Sequence, residues 1–132
     1  MLKNNKLNKI LIIYSLLFLI LWANTLIFTP DLNNWIIENT LTILALVFLI
    51  KTKNKWTFSI SSYTLIFVFL CLHVYGSKYT YAENPLGYYL QELFNWKRNH
   101  YDRMVHFGFG FLLAYPLNEF LFNHLKIDQR LN

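Results

Sequence analysis

The run from Ile10 to Phe28 carries no charged side chain. A helix needs about 20 apolar residues to cross the hydrocarbon core of a bilayer, so this run predicts a transmembrane helix. Lys3, Lys6 and Lys9 precede it, as in a signal peptide. The run is longer than a usual signal core, however, and no small-x-small cleavage site follows it. We therefore interpret it as an uncleaved first span.

Three further apolar runs follow, at about residues 35–50, 56–75 and 104–122. With the first run, at about residues 10–28, they predict an all-α, multi-pass membrane helix bundle with four transmembrane helices. We expect a single membrane domain over residues 1–132. The composition agrees, because 55% hydrophobic and only 14% charged residues is too apolar for an ordinary soluble domain.

The distribution of Lys and Arg predicts the orientation of the bundle. Four spans place eight basic residues on one side, namely Lys3, Lys6, Lys9, Lys51, Lys53, Lys55, Lys126 and Arg130. The other side receives Lys78, Lys97, Arg98 and Arg103. Cytoplasmic loops carry the excess of Lys and Arg. We therefore expect a cytoplasmic (inner) membrane protein with both termini in the cytoplasm and the loop 76–103 outside. The basic clusters form no basic face or binding motif, which argues against nucleic acid as a partner.

The loop 76–103 contains a helical pattern of its own. Asn84 followed by Pro85 is typical of an N-cap and a first helical position. Apolar residues then recur at helical spacing: Leu86, Tyr89, Leu90, Leu93 and Phe94. A segment of about a dozen residues is too short to span a bilayer. We expect a short interfacial helix at about 85–96 that covers the ends of the spans.

Ionisable side chains are densest from Arg98 to His106, where the fourth apolar run begins. Asp102 and His106 are four residues apart and so share a helix face. The carboxylate can orient the imidazole and favour its protonated form, which makes these two the candidate catalytic residues. Asp102 can equally be a helix-capping residue, because Asn99 three residues earlier resembles the start of a capping box.

The candidate ligand-binding residues lie in the same loop and helix start: Arg98, Arg103, Tyr79, Tyr81 and Glu83. Arginines suit an anionic head group or a phosphate. Plain anchoring at the membrane surface is the alternative for them. The tyrosines fit the depth of a membrane interface, and Glu83 is either a loop acid or a simple turn residue.

Two histidines form a candidate metal pair. His106 lies about one turn into the fourth span, and His73 lies two residues before the end of the third, so their depths are similar. Imidazole is the commonest metal ligand, and the two rings could meet beneath the short helix. The alternative, favoured by spacing alone, is two unrelated interfacial histidines. The sequence identifies no cofactor.

Two ordered motifs resemble those of a known bacterial family. The first is His73-Val74-Tyr75-Gly76-Ser77-Lys78-Tyr79-Thr80-Tyr81-Ala82-Glu83-Asn84-Pro85-Leu86-Gly87, and the second is Arg98-Asn99-His100-Tyr101-Asp102-Arg103-Met104-Val105-His106-Phe107. In order and separation they resemble the YjdF-like inner-membrane proteins, a domain of unknown function. The resemblance covers nearly the whole chain. It implies a multi-pass cytoplasmic-membrane protein with no established activity.

The chain departs from that family pattern in two ways. Many relatives have a histidine where this chain has Lys78, which takes a ligand away from any metal site there. The resemblance also implies further spans, with a Glu-rich helix and a Gly-Asp…Trp-Asp…Asp motif, so this chain resembles the N-terminal part of the domain or a shortened version. Separately, Asp102-Arg103-x-x-His106-Phe107 is similar to a helix start in VanZ-like membrane proteins, which implies an envelope location and substrate class.

Two functions of different class fit these patterns. In the first, the protein binds or acts on an anionic lipid or envelope precursor at the outer face, using Asp102, His106, Arg98 and Arg103. In the second, it is a non-catalytic membrane scaffold or partner subunit, and the same residues cap and anchor the fourth helix. A transporter is disfavoured, because no charge lies clearly at the bilayer midplane. Whether the protein is an enzyme stays open.

Overall fold

Five α-helices make up most of the described chain. The computed structural model describes residues 2–125, with side chains from residue 4 onward. The helices are α1 (Leu2–Ile27), α2 (Leu32–Thr52), α3 (Ile60–Lys78), α4 (Pro85–Leu93) and α5 (Tyr101–His124). The all-α prediction is confirmed. Lys126, Arg130 and the side chain of Lys3, which entered the orientation count, lie outside the described residues.

Three of these helices are long and apolar enough to cross a membrane. They cover Asn4–Ile27, Leu32–Thr52 and Ile60–Lys78. α5 has 24 residues and is long enough, but it is not among the three. Asp102 and Arg103 near its start and Glu119 near its end reduce its apolar character. The first three predicted spans therefore lie on suitable helices, and the fourth span stays a prediction.

Capping residues set helix boundaries that differ from the predicted spans. α2 begins earlier than expected because Asp31 Oδ1 accepts a hydrogen bond from Asn34 N at 3.0 Å. α3 begins later, where Ser59 Oγ accepts from Ser62 N at 3.2 Å. α1 starts within the basic N-terminal segment, because Lys has good helix propensity and continues a helix that the apolar run has nucleated.

α3 is the central helix, and it packs against α1, α2 and α5. The buried core consists of Phe18 from α1 with Leu70 and Val74 from α3. By contrast, large apolar side chains on the outer helices remain exposed, such as Ile20 (69%) and Ile37 (72%). Exposed apolar surface on this scale is unfavourable in water, whereas lipid chains solvate it well. The surface is that of a membrane protein.

Asn39 ties three helices together from a fully buried position. Its Oδ1 accepts from Trp22 Nε1 at 2.7 Å, and its Nδ2 donates to Ser77 Oγ at 3.0 Å and to Trp35 O at 2.8 Å. Trp35 Nε1 donates to Thr25 Oγ1 at 2.9 Å. A polar group in a membrane interior needs a partner within the protein. This network therefore fixes α1 and α2 against the C-terminal half of α3.

α5 runs antiparallel to α3 along most of its length. At one end, Tyr101 Oη donates to Leu72 O at 2.8 Å. At the other end, the Glu119 carboxylate accepts from Ser59 N at 2.7 Å, from Ser59 Oγ at 2.9 Å and from Ser62 Oγ. A carboxylate beside the N-terminus of α3 is also favoured by the helix dipole. These contacts fix the register of the two helices.

Candidate functional site

The loop after α3 folds back onto the helix that precedes it. Thr80 and Tyr81 have positive φ angles of 57° and 54°, which are uncommon for such residues. Tyr81 N donates to Gly76 O at 3.1 Å, and the side chain turns back over α3. Its hydroxyl lies 2.5 Å from His73 Nδ1. The structure therefore joins two residues that the sequence assigned to separate sites, one for a ligand and one for a metal.

Gly76 allows this close approach because it has no side chain. A Cβ at this position would lie 2.6 Å from Tyr81 Cε1 and 2.9 Å from Tyr101 Cε1, inside the optimal separation of carbon atoms. Tyr101 is almost fully buried. Its ring centroid lies 5.9 Å from that of Tyr75 and 6.1 Å from that of Tyr81. Tyr75, Tyr81 and Tyr101 form a packed group, which we call the tyrosine cluster.

The partners of His73 determine which ring nitrogen carries the hydrogen. Nε2 lies 3.3 Å from Glu38 O, and a carbonyl oxygen only accepts, so we assign the hydrogen to Nε2. Nδ1 then accepts from the Tyr81 hydroxyl. Burial raises the pKa of Tyr81, and Glu38, Tyr101 and Asp102 raise it further. Tyr81 therefore stays a protonated hydrogen-bond donor at neutral pH.

Two asparagines close the loop between α3 and α5. Asn84 Oδ1 accepts from Gly87 N at 3.1 Å, and Asn99 Nδ2 donates to Asn84 O at 3.0 Å. Asn99 Oδ1 accepts from Tyr101 N at 2.9 Å. A Cβ at Gly87 would lie 2.0 Å from Asn99 Oδ1, so Asn99 can hold this position only while residue 87 has no side chain. We call Asn84, Gly87 and Asn99 the asparagine clasp.

The short helix predicted in this loop is present as α4, with Asn84 as its N-cap. It ends at Leu93 rather than at about residue 96. Trp96 N donates back to Gln91 O at 2.9 Å, and a bond of this kind closes a helix C-terminus. Its position at a membrane interface stays a prediction.

Asp102 and His106 are in contact, as their spacing indicated. His106 Nδ1 lies 3.3 Å from Asp102 Oδ1 and 2.8 Å from Asp102 O. Because the backbone carbonyl only accepts, we assign the hydrogen to Nδ1, which leaves Nε2 free to accept a proton. The side chains of His106 and Asp102 are 77% and 55% exposed. Arg98 and Arg103 are exposed as well.

The start of α5 differs from the predicted capping box. The N-cap is His100, which makes no side-chain capping bond. Asn99, one residue earlier, accepts the hydrogen bond from Tyr101 N. Asp102 lies in the first turn, where a negative charge is favoured by the helix dipole, and its carboxylate faces His106. The capping-box interpretation of Asn99 and Asp102 is therefore wrong in its register.

The other predicted ligand-binding residues lie in different surroundings. Tyr79 is half-buried, with its ring centroid 5.6 Å from that of Tyr75 and Lys78 Nζ 5.0 Å above its ring. Glu83 is exposed. Of the five residues proposed for ligand binding, Tyr81 is the one that contacts His73. The structure thus divides the predicted set between an exposed charged surface and a buried polar group.

The structure gives the candidate metal ligands separate partners. His73 contacts Tyr81 and Glu38, whereas His106 contacts Asp102. Across residues 4–125, no group of three His, Cys, Asp or Glu side chains could hold a metal ion. A metal site formed by His73 and His106 alone stays a prediction.

Sequence reasoning missed Glu38 as a partner of His73. Thirty-five positions separate the two residues, and no local pattern reports a pairing at that distance. It also missed the asparagine clasp, although one residue of the Asn84-Pro85-Leu86-Gly87 motif could have indicated it. A glycine inside a helical pattern, such as Gly87, indicates either a cap or close approach of another group.

Comparison with known proteins agrees with this membrane architecture. The chain is 32% identical over 100 residues to the inner membrane protein YjdF of Escherichia coli (strain K12). The aligned region covers 76% of this chain and 48% of that protein, so the chain spans about half the length of this curated relative. No solved structure matches. A model of the family described as "Predicted membrane protein (DUF2238)" matches residues 10–130, and the chain therefore belongs to that family.

Proposed function

We propose that this protein binds an anionic lipid or envelope precursor at the outer face of the inner membrane. Arg98 and Arg103 would contact the anionic group, and Asp102 with His106 would serve as an acid/base pair. The observation that carries the proposal is the Asp102–His106 contact at an exposed helix start, in the same stretch of the chain as the exposed Arg98 and Arg103. Within residues 4–125, neither arginine has a carboxylate partner, so both are free to bind an anion.

Four spans with both termini in the cytoplasm would place this helix start outside. The antiparallel packing of α5 on α3 supports the fourth span. Hydrogen bonds join α5 to α3 at two places, from Tyr101 to Leu72 and from Glu119 to Ser59. At a rise of 1.5 Å per residue, these two places are about 20 Å apart along α3 and about 27 Å apart along α5. Bonding to α3 at both of these points favours a path for α5 alongside that candidate span. Topology reporters fused after residues 54 and 82 should give cytoplasmic and external signals respectively.

Asp102 and His106 provide simple chemistry at this position. With the hydrogen on Nδ1 held by Asp102, Nε2 of His106 can take a proton from a bound molecule, and the carboxylate then stabilises the imidazolium. The tyrosine cluster and the asparagine clasp hold the helix start in place beneath this pair.

Lipid retention measured by native mass spectrometry tests the binding step. We compare phosphatidylglycerol with phosphatidylcholine on the purified full chain, using wild type, Arg98→Gln/Arg103→Gln and the matched control Lys53→Gln/Lys55→Gln. Each basic residue near an anionic surface contributes about 1 kcal/mol, so the loss of two arginines should weaken phosphatidylglycerol binding roughly thirtyfold. Equal retention by both variants would contradict the proposal.

A non-catalytic scaffold or partner subunit is the second candidate. It is favoured by the i, i+4 spacing of Asp102 and His106, since such pairs stabilise helices without any ligand. Complementation of a deletion strain separates the two functions. If His106→Ala and Asp102→Ala restore the phenotype fully while lowering the unfolding temperature, the acid/base role is excluded and the scaffold role is supported.

A further inference from the structure

His100 lies in sequence between the two arginines of the proposed head-group site, and the proposed function does not use it. It is the N-cap residue of α5, and Met104 N donates to its carbonyl oxygen at 3.0 Å. In the first turn of a helix, the side chains of the N-cap residue and of the third helical residue approach each other. Arg103 is that third residue, so it adjoins His100. The imidazole also packs edge-on against the Trp96 ring, with the centroids 5.2 Å apart.

The charges that act on His100 are those of the two arginines. Loss of solvent contact lowers the pKa of His100 below its ordinary value, and Arg103 and Arg98 lower it further. Water and salt screen such an effect beyond about 10 Å, so both guanidinium groups lie near the ring. Trp96 is uncharged, and no carboxylate within residues 4–125 forms an ion pair with His100. At neutral pH, His100 is therefore an uncharged imidazole beside two cations.

The two ring nitrogens of His100 differ in their surroundings. Nδ1 is buried and has no hydrogen-bond partner among residues 4–125. A hydrogen on Nδ1 would be an unbonded buried donor, which is costly, so we assign the hydrogen of the neutral ring to Nε2. Nε2 is not among the buried atoms without a partner, and the side chain is partly exposed. An anion bound at the arginines would therefore meet an N–H donor.

We propose that His100 is a third contact for the anionic group and takes up a proton when that group binds. This inference deepens the proposed function, on which it rests, by naming how the same site depends on pH. A negative charge beside Arg98 and Arg103 offsets their effect on the imidazole and favours its protonated form. The pKa of His100 should therefore be higher in the complex than in the free protein.

Linkage gives the direction of the effect on binding. Binding that raises the pKa of a group is strengthened, by the same factor, when that group is protonated. The extra affinity is fully present below the pKa of His100 in the free protein, and it is lost as pH rises through the higher pKa of the complex. A difference of about one between the two pKa values corresponds to a tenfold difference in affinity.

NMR of the full chain in detergent micelles tests the protonation of His100 directly. The sequence has four histidines, and carbon-13 labelling of their rings gives a titration curve for each. His100→Gln identifies the signal of His100. The probe is a short-chain phosphatidylglycerol, whose phosphodiester stays charged throughout the range, and short-chain phosphatidylcholine is the comparison without net charge. We expect phosphatidylglycerol to raise the pKa of His100 by about one, and phosphatidylcholine to leave it nearly unchanged.

Isothermal titration calorimetry at about pH 7.5 and about pH 5.5 measures the effect on affinity. Wild type should bind phosphatidylglycerol about tenfold more tightly at the lower pH. Glutamine keeps an N–H donor but takes up no proton, so His100→Gln should lose most of this difference and retain only the share that comes from His106. Lys97→Gln is the matched control. It removes an exposed neighbour that is charged at both pH values, so it should weaken binding equally at both.

The outcomes separate this inference from the proposed function. In the absence of lipid, Arg98→Gln/Arg103→Gln should raise the pKa of His100, because its two neighbouring charges are gone. Equal affinity of wild type and this variant for phosphatidylglycerol would refute the head-group site itself. Arginine-dependent binding with an unchanged pKa of His100, or with the same pH dependence in wild type and His100→Gln, would overturn only the inference about His100.

Discussion

The charged start of α5 and the buried groups beneath it differ in nearly every physical respect. Asp102 and His106 are mostly exposed, and their polar contacts within residues 4–125 are with each other. The tyrosine cluster, the asparagine clasp and His73 are largely uncharged and buried, and each contacts a segment distant in sequence. Charge density draws attention to the first region. Burial and hydrogen bonding are concentrated in the second.

This difference separates two kinds of contribution. An exposed ion pair adds little to stability, because water already solvates both groups and the two side chains lose freedom when they pair. A buried polar group without its partner loses solvation that nothing replaces. We therefore expect substitutions in the buried region to lower stability, and substitutions in the charged region to alter binding or chemistry while the fold remains.

The largest effect is expected for Gly87→Ala. The new Cβ would meet Asn99 Oδ1 at 2.0 Å, so Asn99 must move and give up its bonds to Asn84 and Tyr101. Overpacking and two broken hydrogen bonds together should cost about 3 kcal/mol of unfolding free energy. Unfolding in mixed micelles measures this change in unfolding free energy. Gly110→Ala is the control, since nothing lies within 4 Å of a Cβ there, and it should be neutral or slightly stabilising.

Asn39→Ala should have the next largest effect. It leaves Trp22 Nε1 without its acceptor and removes one of the two hydrogen bonds of Ser77 Oγ, which still donates to Val74 O. The cost should be about 2 kcal/mol, by the usual penalty for an unsatisfied buried group. The same unfolding measurement applies, with the exposed Asn33→Ala on the same helix as control. Equal stability of the two variants would show that buried polar contacts do not dominate this fold.

Tyr81→Phe removes the hydrogen bond to His73 Nδ1 and keeps the ring in the tyrosine cluster. One neutral hydrogen bond contributes about 1 kcal/mol, and the unfolding free energy should fall by that amount. Tyr88→Phe, an exposed tyrosine of α4, provides the baseline. A Tyr81→Phe protein as stable as Tyr88→Phe would mean that the His73 contact is not maintained in solution.

Asp102→Asn should change the unfolding free energy by no more than about 0.5 kcal/mol, because its ion pair is exposed. Any effect of this variant should appear instead in the complementation of a deletion strain or in the reaction with a bound lipid. A destabilisation as large as that of Asn39→Ala would contradict the separation of the two regions.

The smallest effect is expected from pH, through His100. Loss of solvent contact lowers its pKa below the ordinary value, and Arg103 and Arg98 lower it further. The unfolded chain then binds the proton first as pH falls, so stability is fully present above about pH 6.5 and decreases below it. Comparing wild type with His100→Gln between pH 7.5 and 5 should show a slightly smaller decrease for the variant. A larger decrease for the variant would reverse the assigned sign.

The helices could be predicted from the sequence because the signals that form them act between residues close to each other in the chain. The apolar runs and the Asn84-Pro85 start of α4 each act within one span or one helical turn. They correctly placed α1 to α5, with boundary shifts where Asp31 and Ser59 cap helices. Contact between Asp102 and His106 was also predictable, because four residues is one turn of helix.

By itself, the sequence determined that the chain forms membrane-type helices and where its charges lie, since both follow from local composition and spacing. Only the tertiary structure decided which polar groups are buried and paired. Tyr81 returns to His73 through a turn at positive φ, Glu38 reaches His73 from another helix, and Glu119 reaches Ser59 from a helix far along the chain. Such pairings depend on the packing of whole helices around α3, and no periodicity in the sequence encodes them.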